Sequence, residues 1–197
     1  MSVAMIGTAT GPRLVLHPSH VLAWAPAVVG VVALLARPLF LPAGVDLGWR
    51  VAFFVALGVA GAAWPVARVV QGRAGLSASL AVGGLGAAGF ALGRVVVDVP
   101  LRPPGLALAI GLNALAAIAE EAFFRRYLYD LLARFGPAVA VVVTAAAFAV
   151  VHVTVWGWWV LPLDLAAGLV LSWQRAATGR WSVPAATHVL ANTLALL

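Results

Sequence analysis

The sequence contains no cysteine and no lysine, and only six of its 197 residues are acidic. Without cysteine, the chain has neither a disulfide framework nor a thiolate metal site. Charged residues make up 9% of the chain, whereas an ordinary soluble domain contains about 25%. These shortages exclude a secreted disulfide-rich domain, a disordered tail and a free cytosolic enzyme.

Hydrophobic residues dominate the composition instead, at 64% of the chain with a mean hydropathy of +1.07. A small soluble fold could not bury so much apolar surface, because small domains leave a large fraction of their surface exposed. The net charge of +6 comes from twelve arginines that stand singly or in pairs between apolar segments. This pattern is typical of charges that orient a membrane protein, and not of a nucleic-acid-binding face. We therefore predict an integral membrane protein that contacts the lipid bilayer and no nucleic acid.

Apolar segments with the length of a membrane-spanning helix run through the whole chain. A span needs roughly 17–25 mostly apolar residues, and these runs lack the polar/apolar alternation of barrel strands. We predict an all-α polytopic membrane helix bundle with about seven transmembrane helices, in which residues 1–197 form a single transmembrane domain. The predicted spans are Val21–Ala36, Val51–Ala67, Leu76–Leu92, Leu106–Phe124, Ala138–Trp156, Leu165–Gln174 and Val183–Leu197.

The arginines predict how these spans are oriented. With seven spans, the positive-inside rule places the side with more arginines in the cytoplasm, so we expect a cytoplasmic N-terminus and an outside C-terminus. The lysine-free composition, rich in alanine, valine and arginine, favours a bacterial inner (plasma) membrane. The richer side carries Arg13, Arg68, Arg73, Arg125, Arg126, Arg134, Arg175 and Arg180, and the other side carries Arg37, Arg50, Arg94 and Arg102.

A few polar side chains interrupt the hydrophobic helices of the C-terminal half. Glu120 and Glu121, the only glutamates, lie at the end of the fourth apolar run, and His152 lies in the fifth. His188 and Asn192 lie four residues apart in the last helix and therefore on one face. Ionisable groups inside a span are expensive and usually face the bundle interior or a watery cavity. We therefore predict that these side chains form one site.

The same polar residues make up three short motifs. In chain order they are EExxxR over 120–125, FxxxH over 148–152 and HxxxN over 188–192. In this order and on successive helices, they resemble the signature of the CPBP family, which holds the type II CAAX prenyl endopeptidases and related bacterial intramembrane proteases. The resemblance covers about 113–192, which we predict to be the catalytic motif region. Arg126 departs from the pattern, since many bacterial members have glycine there.

The resemblance implies an intramembrane endopeptidase of the glutamic type that needs no cofactor. It implies that Glu120 is the general base for a water molecule, and that His152 holds the same water or shares the proton transfer. It also implies that His188 and Asn192 donate hydrogen bonds to the oxyanion of the tetrahedral intermediate. The substrate is expected to be a membrane-anchored protein or peptide. A CAAX protein, a C-terminal sorting tail and a peptide precursor all stay open.

Helix spacing predicts different roles for the two glutamates. Glu121 and Arg125 are four residues apart in the Glu-before-Arg order that favours pairing. Glu120 is rotated by about 100° from this pair, so we expect it to be unpaired. Because an arginine partner stabilises the ionised carboxylate and weakens it as a base, we predict that Glu120 is the base. Glu121 and Arg125 are then supporting residues that set the helix end and orient the site.

Two other interpretations of the cluster stay open. Glu120, Glu121, His152 and His188 are residue types that bind zinc, which would make the same protease metal-dependent. The usual HExxH spacing is absent, so we favour the metal-free mechanism. The cluster also fits a non-catalytic membrane immunity or binding protein. A transporter fits less well, because the first three spans are nearly devoid of polar groups.

Overall fold

A computed structural model describes residues 19–42, 44–65, 73–96 and 105–197 of the chain. All regular secondary structure in these residues is helical, which confirms the all-α class. Arg13, Arg68 and Arg102, which contribute to the predicted orientation, lie outside the described residues.

The helices follow the predicted spans to within a few residues at most of their ends. Glycines with positive φ separate the helices that carry the motifs, since Gly136 (φ 113°) precedes one helix and Gly157 (φ 86°) follows it. This left-handed conformation is open to glycine at little steric cost. In chain order the helices are α1 (Ser19–Leu35), α2 (Arg37–Phe40), α3 (Leu47–Ala63), α4 (Leu76–Val96), α5 (Leu106–Glu121), α6 (Tyr129–Leu132), α7 (Pro137–Trp156), α8 (Leu161–Thr178) and α9 (Ser182–Leu196).

The helix that carries both glutamates is longer than the sequence predicts. After α5 the chain continues through a π-helical segment, Ala122–Leu128, then α6 and a 3₁₀ turn, so that one helix runs from Leu106 to Phe135. The prediction of a span that ends at Phe124 is therefore wrong. No glycine or proline lies between Glu121 and Gly136, and the charged side chains find partners inside the bundle. The glutamates thus lie mid-helix, about 20 Å from either end at 1.5 Å per residue.

Within the described parts of the chain, three helices are long and apolar enough to cross a membrane: Leu76–Gly93, Leu106–Phe135 and Pro137–Trp156. Two further apolar helices, Ala23–Leu35 and Leu47–Ala63, are shorter. Large apolar side chains on α4, such as Leu80 and Leu85, are two-thirds exposed, as expected for a surface that faces lipid. These features indicate an integral membrane protein. Since α8 and α9 are not among the apolar candidates within the described residues, seven spans remain a prediction.

The densest packing surrounds the π-helical segment. The rings of Phe123 and Phe124 meet edge to face at 5.0 Å, and Phe124 meets Phe148 of α7 in the same way at 5.5 Å. From α3, Gly61 lies directly against the backbone of this segment. A Cβ at Gly61 would come within 2.5 Å of the Ala122 carbonyl carbon, a contact that no rotation of a side chain can relieve. Gly61 therefore fixes how closely α3 approaches the glutamate helix.

We predict that Gly61→Ala lowers the melting temperature of the purified protein. The added methyl must push two backbones apart, and overpacking of this kind typically costs about 1–3 kcal/mol. Gly84→Ala is the matched control, because Gly84 lies exposed on α4 with no atom within 4 Å of its Cβ position. The control should melt like the wild type or slightly higher, since alanine favours helix. Equal melting of both variants in one detergent would contradict the close packing.

Candidate active site

A cavity of about 910 Å³ lies between the helices and reaches from the middle of α5 to the ends of α7 and α9. Among the described residues, the ionisable side chains that line it are Arg37, Arg50, Glu120, His152, Asp164 and His188. Asn192 lines it as well. The predicted residues Glu120, His152, His188 and Asn192 are therefore brought to one cavity, while Glu121 and Arg125 lie behind its wall.

The cavity lies close to one end of the bundle. His152 is four residues before Trp156, which corresponds to about 6 Å along α7. Trp156, Trp158 and Trp159 are all more than half exposed at this end. Exposed tryptophans are typical of the boundary between lipid and water. His152 thus lies about one helical turn from the end of α7 that carries these tryptophans.

The side chains of Glu120 and His152 approach each other in the wall of the cavity. The Oε2 atom of Glu120 lies 3.7 Å from the Nε2 atom of His152, and both side chains are largely buried. The His152 Nδ1 atom lies 2.7 Å from the Phe148 carbonyl oxygen, which can only accept, so Nδ1 carries a proton. In the neutral ring Nε2 is then an acceptor. A separation of 3.7 Å is too long for a direct hydrogen bond but suits one water molecule shared by both atoms.

The prediction that Glu120 is unpaired is wrong. The Nη1 atom of Arg37 donates to Oε1 of Glu120 at 3.1 Å, and both side chains are nearly buried. Helix spacing could not indicate this contact, because Arg37 comes from α2, 83 positions away in the sequence. Both glutamates therefore have an arginine partner. The difference that remains is access, since Glu120 lines the cavity and Glu121 does not.

Glu121 is completely buried and joins three helices. Its Oε1 atom accepts hydrogen bonds from Arg125 Nη1 at 2.8 Å and from His188 Nδ1 at 3.0 Å. Arg125 in turn donates to the Gly168 carbonyl of α8 at 3.2 Å and lies over the Phe148 ring at 4.5 Å. The predicted pairing of Glu121 with Arg125 is confirmed. Glu121 also holds the His188 ring in place, which helix spacing does not indicate.

His188 and Asn192 bring polar side-chain atoms to the cavity. Because Nδ1 of His188 is used by Glu121, the Nε2 atom on the other side of the ring stays available. Asn192 follows one turn later, and its side-chain amide has no hydrogen-bond partner among the described residues. The two side chains share one face of α9, as the HxxxN spacing predicts.

Three ionisable residues of the cavity are not among the predicted site residues. Arg37 and Arg50 are predicted from the sequence only to set the orientation, and Asp164 is given no role. The Asp164 Oδ2 atom lies 3.7 Å from the His152 Nδ1 atom. One signal was available for Asp164, since it is the only acidic residue after Asp130 in a strongly apolar region. No local signal marks Arg37, whose role depends on a long-range contact.

Arg126, which departs from the family pattern, stabilises the end of α3. Its Nη1 atom donates to the carbonyl oxygens of Gly61 at 3.0 Å and Trp64 at 2.5 Å. The last carbonyls of a helix lack partners within the helix, and a basic side chain satisfies them. Arg126 therefore links the π-helical segment to the C-terminal end of α3.

The positions of Glu120, Glu121, His152 and His188 bear on the zinc interpretation. Among the residues that the structure describes, no three side chains of His, Cys, Asp or Glu are arranged to hold one metal ion. Glu121 and His188 bond each other, while Glu120 and Asp164 approach opposite nitrogens of His152. These geometries do not fit the zinc interpretation.

Comparison with known proteins supports the motif assignment. Residues 102–194 match the family model described as type II CAAX prenyl endopeptidase Rce1-like. The match contains all three motifs, and it confirms the resemblance over this part of the chain. No curated protein and no solved structure matches the chain.

We predict that Arg37→Gln lowers thermal stability, because it leaves the buried Glu120 carboxylate without its cation. A buried charged group that loses its partner costs about 1–3 kcal/mol or more. Arg50→Gln is the control, since Arg50 lines the same cavity but has no ion pair among the described residues. Its melting temperature should stay close to that of the wild type.

The double variant Arg37→Gln/Glu120→Gln makes this prediction specific to the ion pair. It should recover part of the loss, because no uncompensated charge remains. If the losses of the two single variants simply add, the pair does not contribute to stability.

Proposed function

We propose that this chain, whose residues 102–194 match the family model described as type II CAAX prenyl endopeptidase Rce1-like, is an intramembrane protease that hydrolyses its substrate with glutamate-activated water. The substrate is a membrane-anchored protein or peptide. One observation carries the proposal: the carboxylate of Glu120, the imidazoles of His152 and His188, and the carboxamide of Asn192 line one cavity between the helices. These are the groups that peptide hydrolysis needs for proton transfer and for oxyanion stabilisation.

The proposed reaction begins with a water molecule between Glu120 Oε2 and His152 Nε2. Both atoms accept hydrogen bonds, so they orient the two protons of the water and turn its oxygen towards the substrate. The water oxygen attacks the peptide carbonyl carbon as Glu120 takes one proton. Arg37 binds the other carboxylate oxygen, Oε1, so Oε2 is the oxygen that takes the proton.

The tetrahedral intermediate carries a negative oxygen that needs hydrogen-bond donors. The Nε2 atom of His188 and the side-chain amide of Asn192 supply them in this proposal. Donation from both nitrogens of His188 requires a doubly protonated ring, whose charge the Glu121 carboxylate balances at 3.0 Å. Removal of one such donor typically lowers the rate by about 10²–10³. The proton from water then passes to the amide nitrogen, through Glu120 or His152, and the C–N bond breaks.

The proposed membrane arrangement has seven spans, in a bacterial inner membrane with the N-terminus in the cytoplasm. Arg125 and Arg175 are buried inside the bundle, Arg126 bonds to α3 and Arg37 is bound to Glu120, so these four are not free loop charges. Without them, five arginines on one side face three on the other. The cavity lies at the end that carries Arg37 and Arg50, and this proposal therefore places it on the outer side.

We predict that Glu120→Gln abolishes cleavage and leaves the protein folded, whereas Glu121→Gln lowers stability and retains partial activity. Glutamine at 120 cannot take a proton from water. Glutamine at 121 keeps an acceptor for Arg125 and His188 but loses the charge that balances them, at a cost of about 1–3 kcal/mol. The assay measures turnover of a quenched fluorescent peptide that ends in a prenylated CAAX sequence, with melting temperatures in the same detergent.

The paired variants serve as each other's controls, because they make the same chemical change at neighbouring positions. Full turnover by Glu120→Gln, or a stable but wholly inactive Glu121→Gln, contradicts the proposed roles. His188→Ala should also lose cleavage. A wild type that binds membrane proteins and cleaves none of them would instead favour the non-catalytic interpretation.

We predict that chelation leaves the activity unchanged, because the described donor geometry does not form a metal site. The measurement is the zinc content of the purified protein together with turnover before and after treatment with a chelator. Stoichiometric zinc whose removal abolishes cleavage, and whose return restores it, would establish the metal-dependent version. The Glu120→Gln protein provides the background rate.

A further inference from the structure

We infer that Asp164 is a positioning residue for His152, whose charge it balances from the side of the ring opposite Glu120. The inference rests on the proposed function, since it concerns the proton transfer at His152. It adds a carboxylate that none of the three motifs contains. The imidazole of His152 lies between two carboxylates, with Glu120 near Nε2 and Asp164 near Nδ1.

Two distances define this arrangement. Glu120 Oε2 lies 3.7 Å from Nε2 of His152, and Asp164 Oδ2 lies 3.7 Å from Nδ1 of the same ring. The ring is fixed between them, because Nδ1 bonds to the Phe148 carbonyl and the ring packs on Phe148 at 4.5 Å. His152 therefore cannot turn away from either carboxylate without the loss of its backbone hydrogen bond.

The Asp164 carboxylate has an unusual environment for an acidic side chain. Its Oδ2 atom is buried and makes no hydrogen bond to any described residue. An acidic residue in the first turn of a helix such as α8 is favourable by itself, but that effect does not require a buried oxygen that faces a histidine. Buried polar atoms without partners are rare and often belong to functional sites. The Nδ1 atom of the His152 ring approaches this oxygen to 3.7 Å and can balance its charge.

The other charged groups around His152 make different contacts and do not approach its Nδ1 atom in the described structure. From α2, Arg37 is bound to Glu120. From α5, Glu120 faces Nε2, and from α9, His188 is bound to Glu121. Asp164 of α8 is therefore the carboxylate on the Nδ1 side among the described residues. When Nε2 accepts a proton from Glu120 on its way to the leaving amine, the ring becomes positively charged, and Asp164 balances that charge.

The size of the expected effect follows from similar arrangements. Groups that orient a reactive histidine from its far side typically contribute about 10–100-fold to activity or affinity. The tautomer here is already fixed by the Phe148 carbonyl, so we do not expect the larger losses seen when an orienting carboxylate also selects the tautomer. Asp164 should therefore change kcat and leave KM nearly unchanged, because it does not reach the scissile bond.

The experiment compares Asp164→Asn with Asp46→Asn in the full-length protein in detergent. Asp46→Asn is the control, because Asp46 does not line the cavity. Its side chain accepts a hydrogen bond from the Gly48 amide at the start of α3. We expect Asp164→Asn to lower kcat for the prenylated CAAX peptide by about 10–100-fold, with KM within about twofold. Asp46→Asn should leave kcat unchanged. Asp164→Glu, which restores the charge, should recover part of the loss.

Two further measurements separate a positioning role from a purely structural one. In a His152→Ala background, Asp164→Asn should have no additional effect on any residual turnover. In protein labelled with ¹⁵N-histidine, Asp164→Asn should change the pH at which the His152 ring titrates, and Asp46→Asn should not. The His152→Ala spectrum assigns the signal.

The outcomes distinguish the inference from the proposed function. If the wild type does not cleave the peptide, the proposed function is weakened, and the ¹⁵N titration still tests the contact between Asp164 and His152. An unchanged titration in Asp164→Asn overturns the inference. An unchanged kcat, or an equal loss with and without His152, overturns it as well.

Discussion

The arrangement of the C-terminal helices depends on one buried charge in the middle of an apolar helix. Glu121 has no exposed surface, and an isolated carboxylate in such a place would be prohibitively unfavourable. The charge is compatible with the fold only because Arg125 and His188 both donate to the same oxygen. Since His188 belongs to α9 and Arg125 reaches α8, the need to satisfy this carboxylate fixes three helices relative to one another.

Close backbone packing places the second glutamate on the cavity side of the same helix. Gly61 allows α3 to lie against the π-helical segment, and the glutamate helix is held between α3 and α9. A π-helical segment is rare and is frequently found at functional sites. Here it directly follows the two glutamates, whose side chains point about 100° apart around α5. Glu121 faces a buried ion-pair network, whereas Glu120 faces the cavity, His152 and Arg37.

The sequence indicates most of the helix bounds and much of the site, for physical reasons that also explain the failures. Helix α7 lies within one residue of its predicted bounds, and Gly136, Pro137 and Gly157 border it in the sequence. Glu121 and Arg125 could be paired from spacing, because both lie on one helix. The partner of Glu120 could not be found in this way, since Arg37 reaches it from a short helix near the other end of the chain. Asp164 was missed for the same reason, because its contact with His152 depends on how α7 and α8 pack.

The central claim is that Glu120, in this cavity, is the base that makes the chain a protease of membrane-anchored substrates. The most direct measurement compares the C-termini of all membrane proteins in cells that produce either the wild type or the Glu120→Gln protein at equal levels. The account predicts new C-termini on one or more membrane-anchored proteins, which appear with the wild type and are missing with Glu120→Gln. Identical sets of C-termini in the two kinds of cell would contradict it.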